Sequence, residues 1–289
     1  MTMAAITAVT RLRRVRAQAA HGRALRVVVY AMLALIACAA ILGPVLIPAS
    51  VNTNHILDAL QAPSASHWLG TDAQGRDVLE RTVLGARASV GSAMLIVAGF
   101  SAIGVAVAVL ATALGRLGDT VIMRFVDSVL SMPPIIFALG FAAALGPSLK
   151  SAIIAMIATG WPYTARLLRG IMRQTEALPF VEGARVLGVS RWRLLTRHIL
   201  RNSLDVLVVK WAADIGNTVL VLGGLSFVGV GAQPPSAEWG AAITAAQGDI
   251  ALAWWPALAP GVAIAFTAIA FGLLGDILQR RFNPDLATV

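Results

Sequence analysis

Residues 27–51 read VVVYAMLALIACAAILGPVLIPASV and contain no charged side chain. A helix rises about 1.5 Å per residue, so this stretch is long enough to cross the roughly 30 Å hydrocarbon core of a bilayer. Arginines precede it, as they do in a secretory signal peptide, but its length exceeds the roughly 7–15 apolar residues of such a signal. The stretch therefore predicts a first membrane-spanning helix.

Further apolar stretches follow along the chain. The charge-free runs after the first are residues 88–115, 128–149, 215–237 and 250–275. Residues 151–165 form a shorter run, which Leu167 and Leu168 extend while the neighbouring arginines reach toward the lipid headgroups. We therefore predict an all-α integral membrane protein with six transmembrane helices.

The composition agrees with this fold class. Hydrophobic residues make up 58% of the chain and charged residues 13%, whereas globular proteins contain roughly 25% charged residues. Such a chain has too little polar surface for a water-soluble domain, and it is too apolar to be intrinsically disordered. Its one cysteine, Cys38, excludes an intrachain disulfide.

The 23 Lys and Arg residues are unevenly divided between the two sides of the predicted spans. With the amino terminus inside, one side receives the basic leader 1–26, the loop between Arg166 and Arg201, and the tail 281–289. Because positively charged loops stay in the cytoplasm, both termini are predicted to be cytoplasmic. The net charge of +9 then reflects topology, and we expect no nucleic-acid partner.

The first of three polar segments covers residues 52–87, on the predicted outer side. One helical face of this segment carries Leu79, Val83 and Ala86. That spacing predicts an interfacial helix. Asp77 and Arg81 stand at the i,i+4 spacing of an ion pair, so we expect them to contact each other.

The second polar segment, residues 178–202, is rich in arginine. Pro179 suits the first turn of a helix and Gly188 its end, while Ser190 suits the cap of a second helix. Arginines recur every four residues in that second helix, at Arg193, Arg197 and Arg201. The pattern predicts a helix-turn-helix elbow that projects from the membrane; an amphipathic segment resting on anionic lipid is the alternative.

The third polar segment, residues 226–256, contains closely spaced turn formers. These are Gly229, Gly231, Pro234 and Pro235. They predict a segment that no single helix can cover. Trp239, Trp254 and Trp255 have the amphipathic rings that favour the membrane interface, where we expect them.

Residue types that carry catalysis or bind metals are dispersed. The four histidines form no pair at ligand spacing, so we predict neither a catalytic centre nor a metal site. Glycine precedes neither Lys150 nor Lys210, and the chain therefore lacks a P-loop for ATP. Asp127, Asp214 and Asn217 are candidate polar residues of a transport pathway, with helix contacts as the alternative role for the carboxylates.

The elbow segment reads Glu182-Gly183-Ala184, three residues, Gly188, nine residues, and then His198-Ile199-Leu200-Arg201. It resembles the EAA loop of ABC importer permeases, E-A-A-x3-G-x9-I-x-L-P, from which it departs at Gly183, His198 and Arg201. The resemblance implies that the elbow docks on an ATPase subunit. The implied coupling residues are Glu182, Gly183, Ala184, Arg185, Gly188, Arg193, Arg197, His198 and Leu200.

Two further segments, His67 to Leu79 and Leu225 to Gly240, extend the resemblance. The first is similar to H-x-L-G-T-D-x-x-G-R-D and the second to L-S-F-L-G-x-G-x-Q-P-P…WG, both found in C-type permeases of the dipeptide, oligopeptide and nickel importer family. The residues implied in the first motif are Leu69, Gly70, Thr71, Asp72, Gly75, Arg76 and Asp77. Those implied in the second are Ser226, Phe227, Gly229, Gly231, Gln233, Pro234, Pro235 and Trp239.

The resemblance implies a type I importer permease core over residues 88–280, in the bacterial cytoplasmic membrane. The implied partners are a second, B-type permease, two ATPase subunits that hold ATP and Mg, and an extracytoplasmic binding protein. The chain itself is expected to bind no cofactor. Peptides are the expected cargo, with nickel, glutathione or haem as alternatives. An ion-coupled secondary transporter working through Asp127, Asp214 or Lys210 is the alternative function.

Overall fold

The structure is a computed structural model that describes the backbone of residues 2–282 and the side chains of residues 23–282, Ala49 excepted. Most side chains of the predicted leader 1–26 lie outside the described residues. So do residues 283–289 of the predicted tail.

The elements of the described chain are helical, apart from one isolated β-bridge between Thr71 and Asp77. The helices are α1 (Thr2–Leu46), α2 (Val78–Ala113), α3 (Gly115–Leu130), α4 (Pro134–Leu145), α5 (Leu149–Glu176), α6 (Pro179–Val186), α7 (Arg191–Arg193), α8 (Arg201–Ser203), α9 (Asp205–Phe227), α10 (Trp239–Ala246) and α11 (Trp255–Phe282). A π-helical stretch, Leu194–Leu200, joins α7 to α8. Short 3-10 turns are Ala49–Asn52, Ile56–Asp58 and Gln247–Asp249. The all-α prediction is confirmed.

Four helices are long and apolar enough to cross a membrane, namely α1 over Arg23–Leu46, α2, α9 and α11. Helices α3 and α4 meet the same criteria together, but they are bent by 82° at the break between them. The described residues thus hold four apolar spans, or five if the bent pair is one span. Helix α5, expected as another span, is long enough, but Arg166, Arg169 and Arg173 lower the hydropathy of its second half.

Helices α2 and α5 pack side by side and run in the same direction. A Cβ atom at Gly99 would meet Ile157, and one at Gly104 would meet Thr164. Residue numbers therefore increase in the same direction along both helices. Because α5 follows α2 in the sequence, the bent pair α3–α4 must return the chain along the bundle between them.

Helix α9 packs antiparallel to α11, since a Cβ atom at Gly216 would meet Ala268 while one at Gly223 would meet Ile264. The bundle therefore has two ends. We call the end with residues 47–77 and 228–254 the motif end, and the end with residues 177–204 the elbow end.

Small and aliphatic side chains fill the bundle. One buried cluster joins α2, α4, α5 and α9 and includes Ile96, Ala142, Met156 and Leu222. A second joins α1, α2, α9, α10 and α11 around Val219. Alanine is frequent in both clusters, and small residues let membrane helices approach closely.

Two boundaries differ from the sequence prediction. Helix α1 ends at Leu46, before Pro48, rather than continuing to residue 51. Residues 52–87 contain no separate interfacial helix, because their amphipathic turns are the start of α2, which runs unbroken into the apolar span. No proline occurs between residues 78 and 113 to interrupt it.

Candidate functional site

A cavity of about 600 Å³ opens between α2, α4, α5 and α9. Helix α9 contributes Lys210, Asp214 and Asn217, and α5 contributes Thr159 and Tyr163. Most of the remaining lining is aliphatic or aromatic. An apolar cavity with a few polar groups is the usual form of a site for small molecules.

Lys210 and Asp214 form an ion pair inside this cavity. The Lys210 ammonium donates to the Asp214 carboxylate at 2.5 Å across one turn of α9. The two side chains are 18% and 20% exposed, and the Lys210 nitrogen lies 5.6 Å from the centre of the Phe100 ring. Charged groups within a spanning helix are costly to place and tend to line functional pathways.

The structure separates the three candidate pathway residues. Asp214 and Asn217 both line the cavity. Asp127 lies on α3 outside it, where it accepts a hydrogen bond from Arg166 at 2.5 Å, and both side chains are exposed. Sequence reasoning did not single out Thr159 and Tyr163, although their spacing of four residues on α5 places them on one face.

At the elbow end, the chain turns sharply between α6 and α7. Pro179 occupies the first turn of α6, where its missing N–H is not needed. Gly188 has a φ of +78°, in the left-handed region that favours glycine. Ser190 precedes α7 but makes no capping hydrogen bond through its side chain. The predicted helix-turn-helix elbow is thus present in the fold.

The elbow is packed on the helices that line the cavity. Its buried side chains are Val181, Leu194, Leu195 and Ile199. They contact Ala108 of α2, Leu168 and Met172 of α5, and Leu207 of α9. A displacement of the elbow would therefore act on three of the four cavity helices.

The opposite face of the elbow is uncovered. Val186, Leu187 and Trp192 are 82%, 85% and 64% exposed at its tip. The exposed coupling residues of the sequence prediction are Glu182, Gly183, Arg185, Gly188, Arg193 and Arg197; the partly buried ones are Ala184, His198 and Leu200. Arg185 also pairs with Glu176 at the end of α5, at 3.5 Å.

At the motif end, residues 67–77 form a compact turn held by carboxylates. Asp72 accepts hydrogen bonds from the backbone N–H groups of Gln74 and Arg76 and from the Arg76 side chain at 2.7 Å. Asp77 caps α2 by accepting from the Glu80 N–H, and its other oxygen lies 2.9 Å from the ring nitrogen of His67.

The predicted pairing of Asp77 with Arg81 is therefore wrong. Arg81, which is 6% exposed, instead donates to the side chain of Asn52 at 2.8 Å and to the carbonyl of Ser236 at 3.2 Å. Its guanidinium also lies 3.6 Å from Asp72. Arg81 thus joins the two family-like motifs, which are far apart in the sequence.

The second motif is partly buried and partly exposed. Ser226 accepts the Ala232 N–H at 3.1 Å within a tight turn that includes Gly229 and Gly231. Gln233 donates to both glycine carbonyls. The exposed members of the motif are Phe227, Gln233, Pro234 and Pro235.

Trp239, which was expected to contact the membrane interface, is instead buried inside the bundle at 3% exposure. Its indole N–H donates to the Thr82 carbonyl at 2.8 Å. The ring can approach α2 this closely because Gly85 has no side chain. Trp255 similarly donates to the Thr71 carbonyl at 3.1 Å. Trp254 remains largely exposed.

Comparison with known proteins gives a consistent result. The model of the family described as "Binding-protein-dependent transport system inner membrane component" matches residues 100–288. The probable D,D-dipeptide transport system permease protein DdpC of Escherichia coli strain K12 is 39% identical, over 84% of this chain and 82% of the relative.

Two other relatives cover similar shares. The glutathione transport system permease protein GsiD of Pectobacterium atrosepticum is 36% identical over 78% of this chain and 75% of its own length. A putative peptide transport system permease protein of Brucella suis biovar 1 is 37% identical over 88% and 86%. The chain therefore belongs to the family of inner membrane components of binding-protein-dependent transport systems, the permeases of ABC importers.

Proposed function

We propose that this chain is one of two permease subunits of an ATP-driven peptide importer in the bacterial cytoplasmic membrane. A second, B-type permease completes the pathway, and two ATPase subunits bind at the elbow end. An extracytoplasmic binding protein delivers cargo at the motif end. ATP and Mg are held by the ATPases, and this chain binds no cofactor.

The observation that carries the proposal is the packing shared by the cavity and the elbow. Helices α2, α5 and α9 line the cavity at one level and hold the elbow at another. When the ATPases close on ATP, they displace the elbow, and these helices transmit the movement to the cavity. Closely packed interiors pass such displacements on instead of absorbing them.

The exposed tip of the elbow supports docking on an ATPase. Val186, Leu187 and Trp192 form an apolar knob, and exposed Arg193 and Arg197 follow it in the chain. Apolar anchors with an arginine rim are typical of the residues that dominate protein–protein interfaces. Glu182, Arg193 and Arg197 are exposed and can pair with charges on the partner.

Six spans follow if the bent pair α3–α4 and helix α5 each cross the membrane once. The parallel packing of α2 and α5 supports this arrangement, because the chain must return between them. The arginine-rich elbow end faces the cytoplasm, together with both termini. The exposed residues Phe227, Gln233, Pro234 and Pro235 then face the binding protein.

Peptides are the proposed cargo class because relatives are named as D,D-dipeptide, glutathione and peptide permeases. The mixed lining of the cavity suits such molecules, since it combines an ion pair and hydroxyl groups with apolar walls. The binding protein selects which peptide is delivered.

To test the proposal, the tagged chain is purified from its native membrane and its partners are identified by mass spectrometry. We expect a second permease and P-loop ATPases in stoichiometric amount, and vesicles of the complex should take up peptide only with ATP. Recovery of the chain alone, with uptake that survives ATP depletion and stops when the ion gradient is dissipated, would support a secondary transporter instead.

A further inference from the structure

The cavity is lined by one positively and one negatively charged side chain. Among the described residues that line it, Lys210 and Asp214 are the charged ones, and they carry opposite signs on neighbouring turns of α9. The surrounding polar groups, including Thr159, Tyr163 and Asn217, are neutral. An occupant of this space therefore meets one positive and one negative group side by side.

The pair keeps unused hydrogen-bonding capacity. An ammonium has three donors and a carboxylate has about four acceptor sites. Within residues 23–282, each of the two side chains makes one hydrogen bond, the one between Lys210 and Asp214. Both groups line the open cavity, and the Phe100 ring covers one side of the ammonium. A structural ion pair would instead be closed off by further hydrogen bonds.

We infer that Lys210 and Asp214 form an exchangeable ion pair that recognises the two charged ends of a zwitterionic peptide, with Lys210 taking the carboxylate and Asp214 the ammonium. This inference rests on the proposed function of peptide import. The exchange replaces one ion pair by two and leaves no uncompensated charge in the cavity.

The geometry suits a short peptide. Residues four apart on a helix have Cβ atoms about 5–6 Å apart, and two extended residues span about 7 Å. One dipeptide can therefore reach both groups, whereas a longer peptide engages one group at a time. The cargoes named for the relatives, a dipeptide, glutathione and peptides, all carry an ammonium and a carboxylate.

The test uses the complete importer, reconstituted in proteoliposomes with its binding protein. Maximal uptake rates are measured for alanyl-alanine, its carboxy-terminal amide and its N-acetyl form, each at a concentration that saturates the binding protein. The variants are Lys210→Gln and Asp214→Asn. The matched control is the double variant Asp127→Asn with Arg166→Gln, which removes an ion pair outside the cavity.

For Lys210→Gln we expect uptake of the two carboxylate-bearing substrates to fall about tenfold, the effect of one charge-assisted hydrogen bond, while the amide is spared. For Asp214→Asn we expect uptake of the two ammonium-bearing substrates, alanyl-alanine and its amide, to fall by a similar factor, while uptake of the N-acetyl form is spared. The control should keep the wild-type order. Thermal unfolding of the complex without binding protein provides a second readout, since alanyl-alanine should raise the Tm of wild type and not that of either variant.

An equal loss for all three substrates, or an unchanged order of preference, would overturn the inference and leave the pair as a support of α9. Failure of the wild-type complex to import any peptide with ATP would contradict the proposed function itself, so the two failures are distinguishable.

Discussion

The buried carboxylate of Glu238 accepts a hydrogen bond from the hydroxyl of Ser89 at 3.1 Å, and this contact joins the start of α10 to the middle of α2. Its other oxygen accepts the N–H of Ala241 at 3.0 Å, which caps α10. Ser89 in turn accepts the N–H of Trp239. Both carboxylate oxygens of Glu238, which is 1% exposed, thus help to position the second motif against the bundle.

Replacing Glu238 by alanine removes both acceptors and leaves a buried hydroxyl and a buried N–H without partners. Each such group costs about 1–3 kcal/mol, so we expect Glu238→Ala to lower the free energy of unfolding by several kcal/mol. Glu238→Gln keeps the shape of the side chain and one carbonyl acceptor, so the free energy of unfolding should fall clearly less than in Glu238→Ala. Thermal unfolding of the purified protein in detergent measures both; equal losses would contradict the role of the two hydrogen bonds.

Arg81 holds the segment after α9 through the Ser236 carbonyl. Substitution by methionine keeps the volume but removes the donors, each worth about 1.5–3 kcal/mol when charged. We expect Arg81→Met to raise the amide hydrogen exchange of residues 228–238 by about tenfold or more. Arg87→Met, at an exposed position on the same helix, is the control. Unchanged exchange in Arg81→Met would show that other contacts suffice.

Asp119 on α3 accepts hydrogen bonds from Arg169 and Arg173 of α5, and both Asp119 and Arg169 are buried. Asp119→Asn leaves a buried guanidinium without its counter-charge, which costs about 3–5 kcal/mol. Asp127→Asn affects the exposed pair with Arg166, where the expected cost is about 1 kcal/mol or less. The free energies of unfolding of the two variants are measured by denaturation in the same detergent. Similar losses in both would contradict a greater contribution of the buried Asp119 ion pairs to stability.

Local signals in the sequence were sufficient for some features. The turn at Gly188 could be predicted because proline and glycine restrict or free their own backbone, and the φ of +78° confirms it. The break after Phe227 was predictable for the same reason, since two glycines and two prolines follow it within eight residues.

Features that depend on distant contacts were not predictable. Arg81 was expected to pair along a helix face with Asp77, but its guanidinium donates instead to the side chain of Asn52 and to the carbonyl of Ser236, which are 29 and 155 residues away. The burial of Trp239 depends on the Thr82 carbonyl, which is remote in the sequence. Periodicity carries no information about such encounters.

The orientation can be tested with the single cysteine removed. In a Cys38→Ser background, Gln233→Cys places a thiol at the motif end and Leu187→Cys places one at the elbow end, both at exposed positions. A membrane-impermeant maleimide applied to intact cells should label the first and spare the second until the cells are lysed and the importer is denatured, which separates the elbow from the ATPase. The opposite pattern would reverse the topology that the arginine distribution predicts.

The turn of the elbow is open to a sharper test, because the space around Gly188 is empty and only its backbone conformation restricts substitution. A β-branched residue is strained at positive φ, so Gly188→Val should change the angle between α6 and α7. We expect ATP hydrolysis by the assembled importer to continue while peptide uptake in vesicles falls about tenfold or more, the effect of about 1.4 kcal/mol or more on coupling.

Gly170→Val is the matched control, since Gly170 lies inside α5 with helical backbone and equally open space, outside the elbow. Valine is a slightly better helix former than glycine and the turn is left unchanged, so uptake should stay near wild type. If both variants lose uptake, the importer is sensitive to an added side chain in general and not to the turn at Gly188. If neither does, the elbow transmits force without a fixed angle between its helices, and the packing of Val181, Leu194 and Ile199 on the cavity helices is sufficient for coupling.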